Sequence, residues 1–95
     1  MEYFVYILYS PSHNRTYVGQ TNNLVSRLSY HNSGKVKSTK PFRPWVLIHS
    51  ESFSSRTDAM KKEKWFKSTS GRKKISELLN IYLLSEGSGL SVPSF

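Results

Sequence analysis

The sequence predicts one small α+β domain in which helices flank a three-stranded antiparallel sheet, in the order β-β-α-β-α-α. Three observations predict this class. Runs of aromatic and β-branched residues at 3–9, 16–19 and 45–50 are typical of strands, and a turn-forming segment joins the first two runs. Apolar residues recur at helical spacing after the second and third runs. The length of 95 residues is enough for one core and no more.

The first strand, residues 3–9, is predicted to lie in the middle of the sheet. Every position of this run is bulky, so both faces of the strand need to be covered. Residues 11–15 have turn chemistry and return the chain to an antiparallel strand at 16–19, which completes a hairpin. Residues 45–50 supply the third strand.

The first helix follows this hairpin. Either Asn22 or Asn23 is able to cap its start, and Gly34 marks its end. Residues 35–44, which come next, contain four basic residues and two prolines. This composition predicts an exposed, irregular loop.

Two further helices are predicted after the third strand. Ser55 and Asp58 have the spacing of a capping box, and they open a helix that is expected to run to about Lys67. Residues 68–71 are predicted to break this helix because they include serine and glycine. A third helix is predicted over residues 72–84, with apolar residues at helical spacing.

The charge and composition of the chain narrow the class of partner. Fourteen Lys and Arg residues against six Asp and Glu residues give a net charge of +8, which favours a polyanion and above all nucleic acid. The absence of cysteine excludes disulfides and thiolate metal sites, and makes the cytoplasm the expected compartment. No secretion signal or segment of membrane-spanning length is recognised. The domain is expected to span residues 1–84 as a monomer, with a flexible Ser- and Gly-rich tail at 85–95.

Two groups of basic residues are predicted to bind nucleic acid. The first group lies in the predicted loop and consists of Lys35, Lys37, Lys40 and Arg43. The second group holds half of the positive charge of the chain and consists of Lys61, Lys62, Lys64, Lys67, Arg72, Lys73 and Lys74. A charge run is commonly a solvated helix face, but the excess here, with Trp65 and Phe66 inside the run, favours a phosphate-backbone footprint.

One cluster of side chains is predicted to carry chemistry. Arg27 and His31 have i, i+4 spacing, so they project together from the first helix, close to Tyr17 at the end of the preceding strand. Tyr6 lies on the strand that pairs with that of Tyr17. Such a cluster is able to bind a phosphate and transfer a proton, although sheet tyrosines commonly serve packing alone. Because a free phenol has a pKa of about 10, a cation such as Arg27 would have to favour the phenolate.

Glu63 is the most informative acidic residue. It lies among lysines, four positions after Ala59 and three before Phe66, so it shares a helix side with apolar residues. One interpretation is a surface carboxylate that pairs with Lys67 at i+4. The other is a ligand for Mg²⁺ or Mn²⁺, because these cations prefer carboxylate oxygen and bridge to substrate phosphates.

Five sequence motifs in a fixed order carry a resemblance to a known family. Phe4-Val5-Tyr6 is followed eleven positions on by Tyr17-Val18-Gly19, and then come Leu24, Arg27, Leu28, His31 and Asn32, with Ala59 and Glu63 further along. Over roughly residues 3–75 this arrangement resembles the GIY-YIG nuclease domain, and above all its short, free-standing members. The second triplet has Val in place of Ile, and the first keeps only its tyrosine.

The resemblance implies a nuclease that hydrolyses phosphodiester bonds in nucleic acid, with DNA favoured over RNA, and that uses one Mg²⁺ or Mn²⁺ ion. By position, Tyr17 is implied to be the general base or its hydrogen-bond partner, with Tyr6 beside it. His31 is implied to assist the tyrosine. Arg27 is implied to stabilise charge in the transition state and Glu63 to bind the metal.

One feature of the family is missing from this chain. Many members have an asparagine a short distance after the glutamate, where this chain has Ser70, Gly71, Arg72 and Lys74, and Asn80 lies too far along. Either another group replaces that contact or the activity is weaker. The alternative to an enzyme is therefore a nucleic-acid-binding module on the same fold with little or no catalysis. A third possibility is an interaction module whose basic face docks an acidic protein.

Overall fold

The computed structural model describes residues 1–87 and contains the predicted sheet. Strands β1 (Tyr3–Ser10), β2 (Arg15–Thr21) and β3 (Val46–Phe53) are antiparallel and lie in the order β2-β1-β3. The first strand is therefore central, as predicted, and its residues from 5 to 10 are all buried. Strand β2 forms one edge of the sheet. Its register places Tyr6 opposite Gly19 and Leu8 opposite Tyr17.

The helices follow in the predicted order. Helix α1 spans Leu24–Asn32, α2 spans Arg56–Phe66 and α3 spans Thr69–Gly87. Both cap predictions are confirmed: the side chain of Asn23 accepts a hydrogen bond from the backbone of Ser26, and that of Ser55 accepts one from Asp58. Gly34, just beyond α1, has a φ of 83°, as expected for the glycine that ends a helix.

The break between α2 and α3 is shorter than predicted. Helix α3 begins at Thr69 and includes Gly71, which the sequence indicated as part of the break. A Cβ atom on Gly71 would collide with the backbone of Trp65 and Phe66. This glycine therefore permits α3 to pack closely against the end of α2 and does not end a helix. The helix also continues through residues 85–87 of the predicted tail, whereas residues 88–95 lie outside the described part of the chain.

The segment between α1 and β3 is only partly the exposed loop that was predicted. It contains a short 3₁₀ helix at Lys40–Phe42. Thr39, which directly precedes this helix, is buried. Trp45 is also buried, and its indole Nε1 donates a hydrogen bond to the carbonyl oxygen of Thr39 at 2.9 Å. The basic residues of the segment remain exposed while its backbone packs against the protein.

The two faces of the sheet carry separate apolar clusters. On one face, Val5, Ile7 and Val18 pack against residues of α2 and α3, among them Ala59 and Phe66. On the other face, Tyr6 and Leu8 pack with Trp45, Tyr17 and the leucines of α1. Alternate residues of β1 thus serve different layers, which explains why every position of this strand is bulky. Within residues 1–87, no helix is long and apolar enough to cross a membrane.

Candidate active site

The site is built around the phenol of Tyr6, which lies across Gly19 on the edge strand β2. A Cβ atom at Gly19 would be only 2.5 Å from the Tyr6 hydroxyl oxygen, Oη. No side chain larger than hydrogen is therefore compatible with this ring position. Tyr17, two residues before Gly19, projects from the same face, and its ring centroid is 6.3 Å from that of Tyr6.

Helix α1 brings Arg27 and His31 to this phenol. His31 Nε2 lies 2.9 Å from Tyr6 Oη, and Arg27 Nε donates a hydrogen bond to the same oxygen at 3.4 Å. The i, i+4 spacing places both side chains on one stripe of the helix, as the sequence predicted. Tyr6 and His31 are almost fully buried, with exposed fractions of 2% and 0%.

The structure pairs His31 with Tyr6, whereas the sequence-based interpretation placed Tyr17 first. The ring of Tyr17 contacts His31 edge-on, with centroids 4.9 Å apart. Its hydroxyl makes no hydrogen bond to any residue from 1 to 87, and its side chain is only half-buried. Of the two tyrosines, Tyr6 therefore has the proton-accepting partner, and Tyr17 has the free hydroxyl.

The environment of this cluster shifts its pKa values in opposite directions. Burial raises the pKa of Tyr6; the hydrogen bond from Arg27 opposes this shift without cancelling it, and Tyr17 and Glu63 add to it. Burial lowers the pKa of His31, and the Arg27 guanidinium lowers it further. Arg27 thus favours the phenolate, as expected from the sequence, but burial outweighs it. At neutral pH the site holds a protonated phenol beside a neutral imidazole.

Glu63 approaches the β2 edge from the other face of the sheet, on α2. Its Oε1 accepts a hydrogen bond from Gln20 Nε2 at 3.2 Å, and its Oε2 accepts one from Lys67 Nζ at 3.0 Å. The predicted pairing with Lys67 is therefore present. The negative charge of Glu63 also raises the pKa of Tyr6, which lies on the opposite face of the sheet. The Glu63 side chain is 23% exposed.

The donor set around Glu63 fits a hydrated Mg²⁺ or Mn²⁺ ion. Within residues 1–87, no group of three or more His, Cys, Asp or Glu side chains is placed to hold a metal. A single carboxylate is nevertheless the ordinary protein contribution for Mg²⁺, which keeps several waters and takes its other ligands from substrate phosphates. Binding would require the Lys67 ammonium to move away from Oε2.

Two residues of the site, Gln20 and Thr39, were not predicted from the sequence. Gln20 lies on β2, and the alternation of the strand turns it toward Glu63, whereas Gly19 lies under Tyr6. Thr39 contacts the second ring nitrogen of His31, with its Oγ1 2.9 Å from Nδ1. Gln20 could have been found from its position, since it is a polar strand residue next to a glycine of the motif. Thr39 lies in a segment whose composition predicts solvent exposure, so its role could not be found from the sequence.

The predicted nucleic-acid-binding residues are placed on both faces of the sheet. Those at 35–43 follow α1 on the Tyr6 face, and all four are exposed. Those at 61–74 lie on α2, at its C-terminal end and on α3. Lys62 faces β3, where its Nζ lies 3.7 Å from Glu51 and 4.3 Å from the ring centroid of Trp65, whereas Lys67 lies beside Glu63.

Comparison with known proteins identifies the family. The model of the GIY-YIG catalytic domain matches residues 2–76, which include the Tyr6 cluster and Glu63. The chain belongs to the GIY-YIG family. The family is one of nucleases, so the resemblance inferred from the motifs is confirmed, and nucleic acid is the substrate class that the family implies.

Relatives of this GIY-YIG protein include several UPF0213 proteins. One from Staphylococcus haemolyticus is 40% identical over 75 residues, which cover 78% of this chain and 90% of that protein. YsiG of Lactococcus lactis is 42% identical over 86 residues, covering 90% and 82%. The solution NMR structure of a UPF0213 protein from Bacillus halodurans is similar with a TM-score of 0.50 and 31% identity, covering 82% of this chain and 85% of that one. This chain therefore covers most of the length of each of these relatives.

Proposed function

We propose that this GIY-YIG protein is a divalent-metal-dependent endonuclease that hydrolyses phosphodiester bonds in nucleic acid, with DNA favoured over RNA. The observation that carries the proposal is the pair of contacts on Tyr6 Oη, from His31 Nε2 at 2.9 Å and Arg27 Nε at 3.4 Å. A phenol held between a neutral imidazole and a guanidinium has an acceptor for its proton and a cation to stabilise the resulting charge.

Tyr6 and His31 form the proton-accepting pair. The raised pKa of Tyr6 disfavours a free phenolate in the resting protein. Tyr6 therefore acts as a relay: its oxygen takes a proton from the attacking water as its own proton passes to His31 Nε2. The lowered pKa of His31 keeps the imidazole neutral and able to accept at neutral pH. Tyr17, with a free and half-buried hydroxyl, orients the water or a phosphate oxygen.

Arg27 stabilises the negative charge that develops on the phosphate. Its Nε is occupied by Tyr6, and its terminal Nη groups make no hydrogen bond within residues 1–87. The hydrogen bond with Tyr6 orients the guanidinium, so that little ordering is needed when the phosphate arrives. The same residue thus couples the proton relay to the phosphate.

Glu63 would hold the metal ion, with Gln20 orienting the carboxylate through its 3.2 Å hydrogen bond to Oε1. When bound, the ion supplies Lewis-acid stabilisation of the phosphate oxygens and of the leaving group. Lys67, displaced from Oε2, remains near the site as a cation for a neighbouring phosphate. Gly19 and Gln20, adjacent residues of β2, thereby contact Tyr6 on one face of the sheet and Glu63 on the other.

A nucleic-acid-binding module is the second candidate. Two observations favour it. Both carboxylate oxygens of Glu63 already have partners, in Gln20 and Lys67. The family asparagine is also missing, and Asn80 is exposed on α3. In that case the basic residues bind the phosphate backbone and the Tyr6 cluster serves structure alone. Binding would then be salt-dependent without cleavage.

The test is cleavage of labelled single-stranded, duplex and branched DNA, and of RNA, with Mg²⁺, Mn²⁺ or EDTA. Cleavage that EDTA abolishes is expected. Arg27→Ala is expected to lower the single-turnover rate about 10²–10³-fold. Arg56→Ala is the matched control, because Arg56 lies at the start of α2 over the ring of Tyr3, away from the site. Salt-dependent binding with no cleavage of any substrate would support the binding module instead.

A further inference from the structure

The buried hydroxyl of Thr39 completes a chain of hydrogen bonds that begins at Tyr6. Thr39 Oγ1 lies 2.9 Å from His31 Nδ1 and donates to the carbonyl oxygen of Val36 at 3.3 Å. The other ring nitrogen, Nε2, is bonded to Tyr6 Oη. Thr39 is only 1% exposed, so water does not compete for these contacts. The chain therefore runs from Tyr6 through His31 and Thr39 to the backbone.

The number of protons fixes the direction of this chain. Tyr6 Oη accepts from Arg27 Nε, and its single proton is therefore directed to His31 Nε2. A neutral imidazole has one N–H, which then lies on Nδ1 and is donated to Thr39. The hydroxyl proton of Thr39 passes to Val36. The opposite direction would leave the buried Tyr6 proton without an acceptor among residues 1–87.

We propose that Thr39 is a positioning residue that holds His31 in the Nδ1–H tautomer and so keeps Nε2 free to accept the proton of Tyr6. The position of a proton on one ring nitrogen is set by the hydrogen bond of the other. The backbone holds Thr39 in place: its N–H donates to Val36 at 3.1 Å, and its carbonyl oxygen accepts from Trp45 Nε1 at 2.9 Å. The tautomer stands on the geometry alone, whereas its role in catalysis rests on the proposed nuclease function.

Two substitutions separate the hydroxyl from the shape of the side chain. Thr39→Val keeps a branched side chain of similar shape and removes the hydrogen-bond acceptor for Nδ1–H. Because an unpaired buried donor is costly, the imidazole is expected to shift its proton to Nε2, where it donates to Tyr6; the Tyr6 hydroxyl then turns its own proton toward the water that the proposed relay requires. Nε2 then no longer accepts a proton. Thr39→Ser keeps the hydroxyl and is expected to keep the wild-type tautomer.

The tautomer is measured by ¹H–¹⁵N correlation spectra of the imidazole nitrogens in the full chain at neutral pH, with His31 assigned through a His31→Gln variant. We expect a protonated Nδ1 and an unprotonated Nε2 in the wild type and in Thr39→Ser, and the reverse in Thr39→Val. A wild-type ring protonated on Nε2 overturns the proposal without any variant. An unchanged tautomer in folded Thr39→Val also overturns it.

Cleavage gives the second measurement. Thr39→Val is expected to lower kcat about 10- to 100-fold with KM unchanged, and Thr39→Ser to restore the wild-type kcat. A Thr39→Val protein that switches tautomer but cleaves at the wild-type rate refutes the positioning role and leaves the nuclease function standing. If the wild type cleaves no nucleic acid, the proposed function fails, and the spectra still decide the direction of the hydrogen-bond chain.

Discussion

Replacement of Tyr6 by phenylalanine removes one oxygen atom and leaves the packing of the ring in place. This oxygen contacts His31 Nε2 at 2.9 Å and Arg27 Nε at 3.4 Å. Loss of these bonds, with the buried His31 nitrogen left unpaired, is expected to lower the free energy of unfolding by about 1–3 kcal/mol. Since a domain of this kind has a stability of about 5–15 kcal/mol, more than about 95% of the variant remains folded at 25 °C.

The expected effect on cleavage is far larger than this loss of folded protein. Removal of a general base or proton relay costs about 10²–10⁴ in rate, which corresponds to about 3–5 kcal/mol in activation free energy. Partial unfolding of a few per cent of the molecules does not account for such a factor. The rate and the stability of Tyr6→Phe therefore separate a chemical role of the hydroxyl from a structural one.

The matched control is Tyr9→Phe. Tyr9 lies on the same strand, is buried, and donates one hydrogen bond from its hydroxyl to Asn14 Oδ1 at 2.9 Å, outside the site. It is expected to lose about 0.5–1.5 kcal/mol of stability and no cleavage. The assay is single-turnover cleavage with enzyme in excess, beside urea melts of all three proteins. A wild-type rate in Tyr6→Phe, or an equal loss of rate in Tyr9→Phe, would refute the relay.

Three further predictions test the rest of the site. Glu63→Gln is expected to abolish cleavage while nucleic-acid binding holds or tightens, because one negative charge leaves a basic region. The control is Glu51→Gln, because the Glu51 carboxylate pairs with residues of β3 and α2. Wild-type cleavage by Glu63→Gln would end the metal assignment. His31 has a lowered pKa in the folded protein, so the unfolded chain takes up this proton first as pH falls below about 6.5. Stability is therefore expected to be constant above that pH and to fall below it, less steeply in His31→Gln; melts of equal steepness between pH 8 and 5 would contradict this. Gly19→Ala is expected to displace Tyr6, lowering stability by about 1–3 kcal/mol and cleavage as far as Tyr6→Phe does, and an unchanged rate would show that the ring position is not required.

Local features of the sequence predict the architecture well because their physical causes are local. The central position of β1 follows from its continuous bulk, and Asn23 and Ser55 cap helices through bonds to residues three positions away. The role of Gly71, in contrast, depends on tertiary packing. A glycine near a serine-rich segment indicates a break, and only the approach of the α2 backbone shows that this one permits packing.

The members of the site are predictable from the motif spacing, whereas their pairing is not. The i, i+4 relation brings Arg27 and His31 together, but it does not say which tyrosine they meet. That choice depends on the register of β1 and β2, which places Tyr6 over Gly19 and within reach of His31. Thr39 is still harder to predict, because its burial depends on contacts with His31 and Trp45, which the sequence near Thr39 does not encode.

The edge position of β2 is what allows the proposed reaction to use residues on opposite faces of the sheet. Successive side chains of a strand point to opposite faces. Gly19 accepts the Tyr6 phenol on one face, and Gln20 binds the Glu63 carboxylate on the other. In a central strand these two faces would be separated by neighbouring strands on both sides, but an edge strand leaves one side open for a phosphodiester to reach both. In the proposed reaction, a shift of β2 would therefore disturb the position of the Tyr6 phenol and the orientation of the Glu63 carboxylate together, so the backbone of residues 17–20 would matter as much as the side chains it carries.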